Sequence, residues 1–296
     1  LAGLAQDDEI QGGFQYNPDM VTVKEAQAEA RAAASAYSET PAMDAQALLA
    51  HVVGETRAWV AAHPEAELSG KQAAVYAEKL AAVQAGTPLP YILGEWPFFG
   101  RAFAVMPDVL IPRPETELLI ETALDWLGAD DARRDAADVG TGSGIIAVTL
   151  ACEMPDLRVT ASDISEAALG VAQENARRHE AAVTFIETSL LHGVAGPFDL
   201  IAANLPYIPS EPLKALPIYG REPQVALDGG ADGLRLIDGL LADAPRVLKP
   251  GGMLLLEIEA GAGEKTVRLA RERFRDATMD VLPDLAGHER LVRIQT

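Results

Sequence analysis

The chain has 296 residues, 49% hydrophobic and 23% charged, the balance of an ordinary globular protein and not of a disordered one. Its formal net charge of −20 opposes tight binding to a polyanion by phosphate neutralisation and suits a basic protein partner better. A single cysteine, Cys152, excludes an internal disulfide and any cysteine-cluster metal site and fits a reducing cytoplasm, and no apolar run approaches the ~20 residues of a membrane span.

Residues 1–19 carry neither the basic nor the apolar region of a signal peptide and read as a flexible extension. Residues 20–87 form the next block, a small helical domain. Its stretches VKEAQAEARAAASAY, MDAQALLAHVVG and GKQAAVYAEKLAAVQAG each have helical periodicity, with Asp44 and Ser69 expected as N-caps and Gly54 and Gly86 as C-caps. At Pro88 the composition shifts to aromatics, prolines and β-branched residues. Residues 88–113 read as a β-hairpin linker turning at Gly100. The last block, 114–296, opens with a helix over 114–128 and then alternates. Strands are expected at 136–139, 157–162, 182–187, 197–203 and 252–258, and helices at 144–153, 165–179, 231–248 and 261–274. Such alternation predicts an α/β fold with a mostly parallel sheet covered on both faces. Two final strands, near 276–282 and 289–295, predict an antiparallel pair at one edge.

The stretch DVGTGSGIIAVTLA is strand, glycine turn, helix. Gly140, Gly142 and Gly144 permit positive φ and close backbone approach, and the helix start offers free N–H groups, at the strand end where open α/β sheets bind ligands. A dinucleotide fingerprint needs glycine at position 145, which is Ile145, so the spacing argues against NAD and for S-adenosylmethionine (SAM). The next strand ends on Asp163, whose carboxylate is placed to accept from ribose hydroxyls, while Ser165 takes the cap of the following helix.

In FDLIAANLPYIP an apolar strand stops on Asn204, followed by Leu205, Pro206 and Tyr207. This end lies on the same edge as the glycine turn and Asp163. The Asn204 side-chain oxygen and the Leu205 carbonyl are suited to accept both N–H bonds of a planar NH2 group and to hold its nitrogen in line with a methyl donor. Tyr207 offers an aromatic face to a flat group. Taken alone, the four residues also fit a strand stop with a side-chain turn.

Together these residues resemble the class I SAM-dependent methyltransferases, and more closely the release-factor glutamine methyltransferases, the HemK/PrmC family. The resemblance runs from Met20 to the end. It is carried by PYILGEWPFFGRAFAV, VLIPRPETELLIE, the glycine turn, ASDISEAALGVAQENA, FDLIAANLPYIP, REPQVALDGGADGLRLI and LKPGGMLLLEI. It implies a Rossmann-like, seven-stranded methyltransferase sheet behind an N-terminal helical substrate-recognition domain and a hairpin linker. The implied reaction is methylation of the side-chain amide nitrogen of the glutamine in the Gly-Gly-Gln loop of peptide chain release factors, with SAM as cofactor and no metal. The enzyme would be a cytoplasmic monomer in translation termination that holds no stable nucleic acid. Carried over, Gly140, Thr141, Gly142, Ser143, Gly144, Asp163 and Ile164 would hold SAM, with Asn204 beside it. Asn204, Leu205, Pro206 and Tyr207 would hold the glutamine amide. Arg113, Glu115 and Glu117 would order the wall of the substrate channel, or form a structural ion-pair knot.

Three departures from the family pattern stand out. Leu205 replaces the first proline of Asn-Pro-Pro-Tyr, a form shared with ribosomal-RNA adenine dimethyltransferases. Ser189 and Leu190 stand where an acidic or aromatic pair usually meets adenine. EIEAGAG replaces the usual sequence after the strand at 252–258. Two other functions therefore compete: an adenine N6-methyltransferase on RNA or DNA, and a non-catalytic SAM-binding adaptor. The five scattered histidines show no ligand spacing. Cys152 reads as a structural thiol, Lys249-Pro250-Gly251-Gly252 as a turn before the fifth strand, and Glu257 as a buried acid without an assigned role. Trp96, Phe98 and Phe99 read as hairpin core or as a docking face.

Overall fold

A computed structural model of the chain describes residues 21–296; the expected extension, 1–19, lies outside the described residues. The chain divides into two compact units, the first ending at Gly86 and the second running from Thr87 to Thr296.

The first unit is helical. α1 (Val23–Ala34) starts at Thr22, whose hydroxyl accepts from Glu25 N (3.3 Å) while Glu25 Oε2 accepts from Thr22 N (2.9 Å). Val23, Ala26, Ala30 and Ala34 form its buried stripe. α2 (Pro41–Val53) begins before the expected cap. Pro41 takes the first helical position, where its fixed φ and missing N–H cost nothing, so Thr40 is the N-cap. Asp44 instead sits inside the first turn, where a carboxylate favours the helix dipole. Gly54 closes α2 with φ 77°. After α3 (Arg57–Ala62), Ser69 caps α4 (Gly70–Gln84) in a reciprocal pair with Gln72. The buried Tyr76 hydroxyl donates to Ala26 O (2.8 Å) and ties α4 to α1.

The second unit opens with a short helix not anticipated in the linker, α5 (Leu89–Leu93), which Pro88 leads in and Gly94 ends. The hairpin β1 (Glu95–Phe98) and β2 (Arg101–Ala104) turns through Phe99 and Gly100, both at positive φ as a two-residue hairpin requires. Phe98 is core, whereas Trp96 and Phe99 are only partly buried against neighbouring apolar clusters.

α6 (Thr116–Gly128) leads into the main sheet: β3 (Asp135–Val139), α7 (Ile145–Glu153), β4 (Arg158–Asp163), α8 (Glu166–Arg178), β5 (Val183–Glu187), β6 (Phe198–Ala203), the short α9 (Ser210–Leu213), α10 (Arg235–Asp243), β7 (Leu248–Glu257), α11 (Gly263–Arg273), β8 (Thr278–Pro283) and β9 (Glu289–Gln295). The seven strands lie in the order β5-β4-β3-β6-β7-β9-β8, parallel except at the β7–β9 and β9–β8 contacts. Strand residues alternate between two cores. Leu200, Ala202, Met253 and Leu255 pack with α6 and α7, while Ile201, Ala203, Leu254 and Leu256 pack with α10 and α11. β3 and β6 are adjacent, yet their crossovers leave in opposite directions, so a crevice opens at their carboxyl ends.

Two expected boundaries move. The helix expected from 231 starts at Arg235, because Gly230 and Gly233 take positive φ in a loop ahead of it. Residues 249–252 are not a turn ahead of β7 but a bulge inside it: Phe198 pairs with Leu248, and the next partners are Leu200 and Met253.

Asn175 on α8 holds this architecture to the site. Fully buried, its Oδ1 accepts from Ala104 N (2.7 Å) and its Nδ2 donates to Ala104 O (3.0 Å) and Ser143 O (2.8 Å). Asn175→Ala removes those partners and leaves a void. It is expected to destabilise the fold by about 3 kcal/mol, read as a lower urea midpoint at unchanged slope.

Candidate active site

The turn after β3 crosses over β4. Gly140 N and Thr141 N both donate to Ser162 O (2.8 and 3.0 Å), which draws the turn over the neighbouring strand end. Gly140 and Gly142 have φ of 74° and 55°, and a Cβ on Gly142 would meet nothing within 4 Å, so this backbone is open to a ligand. Gly144 serves packing instead. A Cβ there would lie 3.0 Å from Ala172 Cβ, so the glycine lets α7 approach α8.

Asp163 ends β4. Ser165 caps α8 as expected, its hydroxyl accepting from Ala168 N (3.2 Å). The Asp163 carboxylate is nevertheless not free: Oδ2 accepts from Gly142 N and Oδ1 from Ser165 N, each at 2.9 Å. Each oxygen keeps a lone pair for a further donor. Ile164, 61% exposed, lays an apolar side chain along the cleft. Ser189 and Leu190 follow β5, and Leu190 is held at φ 52° with its carbonyl accepting from Ser162 Oγ (3.0 Å).

These segments enclose a cleft of about 570 Å³. Its walls include Gly140 to Ser143, Asp163, Ile164, Ser189, Leu190, Asn204, Leu205, Pro206 and Arg113. Gly144, Glu115 and Tyr207 are not among its walls. The fit to SAM is good: open glycine backbone, a strand-end carboxylate with lone pairs to spare, and an exposed apolar side chain against which a flat base can lie.

Leu205 explains the first departure from the family pattern. It is 4% exposed, and a Cβ on Gly140 would come within 2.8 Å of its Cδ2. The leucine therefore packs beneath the glycine turn. Behind it, residues 228–233 cradle the loop. Gly229 N donates to Ile208 O (2.9 Å), Ile208 N to Leu227 O (3.1 Å), and a Cβ on Gly233 would lie 2.2 Å from Tyr207 O.

Asn204 Nδ2 donates to Thr116 Oγ1 (3.0 Å), and Thr116 Oγ1 donates to Glu257 Oε2 (2.7 Å). The Tyr207 hydroxyl donates to Glu257 Oε1 (3.4 Å), so the tyrosine is half-buried beside Glu257 instead of offering its face to the cleft. Arg113 pairs with the buried Glu222, which also accepts from Ile111 N (3.1 Å). Glu117 accepts from Phe99 N (3.1 Å), so Arg113 and Glu117 serve different partners and do not form one ion-pair knot. Thr116, Glu222 and a role for Glu257 were missed in the sequence. Each stands in a recognisable segment, Thr116 in VLIPRPETELLIE, Glu222 in REPQVALDGGADGLRLI and Glu257 after the apolar run MLLL, but no spacing within one segment joins them. Among the described residues, no group of three or more His, Cys, Asp or Glu is placed to hold a metal ion, and no helix is long and apolar enough to cross a membrane.

Two buried acids set a pH dependence. Burial pushes Asp138 up to about 7 against hydrogen bonds from Thr141 and Ala147 N; burial likewise pushes Glu257 up to about 7 against the Thr116 bond. Both folded values exceed the unfolded 3.8 and 4.5, so the stability they contribute is complete below those values and is lost as the pH rises through about 7. Denaturation midpoints are therefore expected to decrease as the pH rises from about 4 to about 7 and to level off above that. Asp138→Asn, which keeps an acceptor for both donors and cannot ionise, is expected to flatten that fall.

Residues 25–94 match the family model described as the PrmC N-terminal domain, and residues 114–213 the methyltransferase small domain. The chain is 42% identical over 275 residues to a release factor glutamine methyltransferase of Moorella thermoacetica, covering 91% of this chain and 97% of the relative. It is 41% identical over 263 residues to a protein of the same name from Koribacter versatilis, covering 87% and 92%. Among solved structures, the hMettl16 catalytic domain in complex with MAT2A 3'UTR hairpin 6 aligns with a TM-score of 0.50 at 14% identity, covering 75% of this chain and 81% of that one. At that identity the likeness is one of fold.

Proposed function

The chain belongs to the release factor glutamine methyltransferase family, and from that premise we propose that it transfers a methyl group from SAM to the side-chain amide nitrogen of the glutamine in the Gly-Gly-Gln loop of peptide chain release factors. The observation that carries the reading is the orientation of Asn204. With Nδ2 committed to Thr116, Oδ1 is the end left to the cleft, at the end of β6 and beside the glycine turn.

In this reading the backbone of Gly140 to Ser143 and the Asp163 carboxylate bind the cofactor, with Ile164, Ser189 and Leu190 around its base. When bound, SAM supplies an electrophilic methyl group on a sulfonium. The amide nitrogen is a poor nucleophile because its lone pair is delocalised into the carbonyl. Asn204 Oδ1 and the Leu205 carbonyl each accept one N–H, which aims the nitrogen and stabilises the positive charge that develops on it. One of those protons is released when the N–C bond forms. Arg113, fixed by Glu222, holds the wall of the channel, and residues 20–87 recognise the body of the release factor. The protein works as a cytoplasmic monomer without a stably bound nucleic acid, in keeping with the charge of −20. The adenine alternative rested on Leu205, which packing against Gly140 accounts for.

The test is peptide mass spectrometry after mixing protein, SAM and an intact bacterial release factor, and separately ribosomal RNA. One added methyl on the Gly-Gly-Gln peptide is expected. An unmodified release factor with methylated adenine in the RNA would overturn the reading.

A further inference from the structure

Glu257 and Thr116 form a buried chain that ends on the one side chain expected to touch the substrate amide. The Thr116 hydroxyl has a single hydrogen. With Glu257 ionised, that hydrogen goes to Oε2, so Thr116 Oγ1 faces Asn204 as an acceptor and draws Nδ2 toward itself. With Glu257 protonated the polarity reverses. Tyr207 already donates to Oε1, so the proton sits on Oε2 and donates to Thr116. Thr116 then turns its hydrogen to Asn204, whose amide flips and presents NH2 to the cleft. An NH2 group cannot accept an N–H from the substrate.

We propose that Glu257 and Thr116 are positioning residues that decide which end of the Asn204 amide faces the cleft, and that ionisation of Glu257 switches the enzyme on. The proposal rests on the role given to Asn204 above. The groups facing Glu257 are Thr116 and Glu115 at the start of α6, Tyr207 after β6 and Arg290 on β9. Glu115 opposes its ionisation, Arg290 favours it, and burial dominates both, which puts the switch near neutral pH.

Thr116→Val removes the hydroxyl at nearly constant volume. It is expected to lower kcat roughly 10- to 100-fold, with KM for the release factor and Kd for SAM within about twofold, because docking of a protein substrate is spread over a surface far wider than one amide. Thr116→Ser is expected to restore kcat. The wild-type kcat is expected to fall on the acid side of neutrality, and Glu257→Gln to abolish that limb. Independently of activity, the Asn204 Nδ2 proton resonances, assigned by their loss in Asn204→Asp, are expected to shift with Glu257 titration in the wild type and not in Thr116→Val.

A wild-type kcat in Thr116→Val, a Thr116→Ser variant as impaired as Thr116→Val, an unchanged acid limb in Glu257→Gln, or Asn204 resonances indifferent to pH would each overturn the proposal. If the wild type leaves release factors unmodified while those resonances follow Glu257, the substrate assignment fails and the switch stands. If transfer is normal and the resonances do not follow, the reverse holds.

Discussion

Asn204→Ala is expected to lower methyl transfer to a release factor by roughly 100- to 1000-fold while leaving SAM affinity within about threefold. The two effects separate because, in the proposed reaction, Asn204 acts on the nucleophile. In the ground state the glutamine N–H bonds are satisfied by water or by protein about equally. As the N–C bond forms, charge appears on nitrogen, and a fixed acceptor gains strength that mobile water in a partly closed cleft does not match. The residues proposed to hold the cofactor lie on other strand ends, in the glycine turn after β3 and at Asp163 ending β4, and their own hydrogen bonds do not involve Asn204. Single-turnover transfer and calorimetric SAM binding measure the two separately. Equal losses in both would mean that Asn204 mainly shapes the cofactor site; undiminished transfer would mean that Asn204 does not act on the nucleophile, and SAM binding without transfer by the wild type itself would favour the adaptor reading.

The parts of this site that were legible in the sequence are those in which one short segment carries the whole chemical requirement. A glycine turn after an apolar strand, an acid at the next strand end and Asn-Leu-Pro-Tyr after the fourth each state their geometry locally, and the parallel sheet brings them to one edge. Gly144 shows the limit: its spacing puts it in the turn, but its neighbour is Ala172 on the next helix, which only packing reveals. Thr116 and Glu257 lie further beyond local reading. The pairing of Ala203 with Leu256 sets Glu257 beside Asn204, and α6 then lays Thr116 between them, a register that no motif spells out. The Arg113–Glu222 pair likewise joins segments 109 residues apart. The misplaced cap at Asp44 has a simpler cause. Several residues there suit a helix start, and Pro41 decides among them because it favours the first helical position and cannot serve the interior.

Gly233→Ala is expected to lower kcat by about 100-fold and to destabilise the fold by about 2–4 kcal/mol, with SAM binding largely kept. The φ of Gly233 is 80°, which costs an L side chain roughly 1–2 kcal/mol by itself. The larger effect is steric. The new Cβ would lie 2.2 Å from Tyr207 O and 3.2 Å from its carbonyl carbon, and neither atom can rotate aside as a side chain would. Either the cradle at 228–233 or the Asn204–Tyr207 loop must shift, and a shift of the loop carries the Leu205 carbonyl and Asn204 Oδ1 away from the position proposed for the substrate nitrogen. Gly251→Ala separates the two costs. Gly251 has a φ of 76°, yet a Cβ there would meet nothing within 4 Å, and it lies in the exposed bulge of β7, on the β-strand margin away from the cleft walls. That variant is expected to lose only the conformational part of the stability and to keep full activity. Matching stability and kcat in the two alanine variants would mean that the loop is held by something other than its glycine cradle.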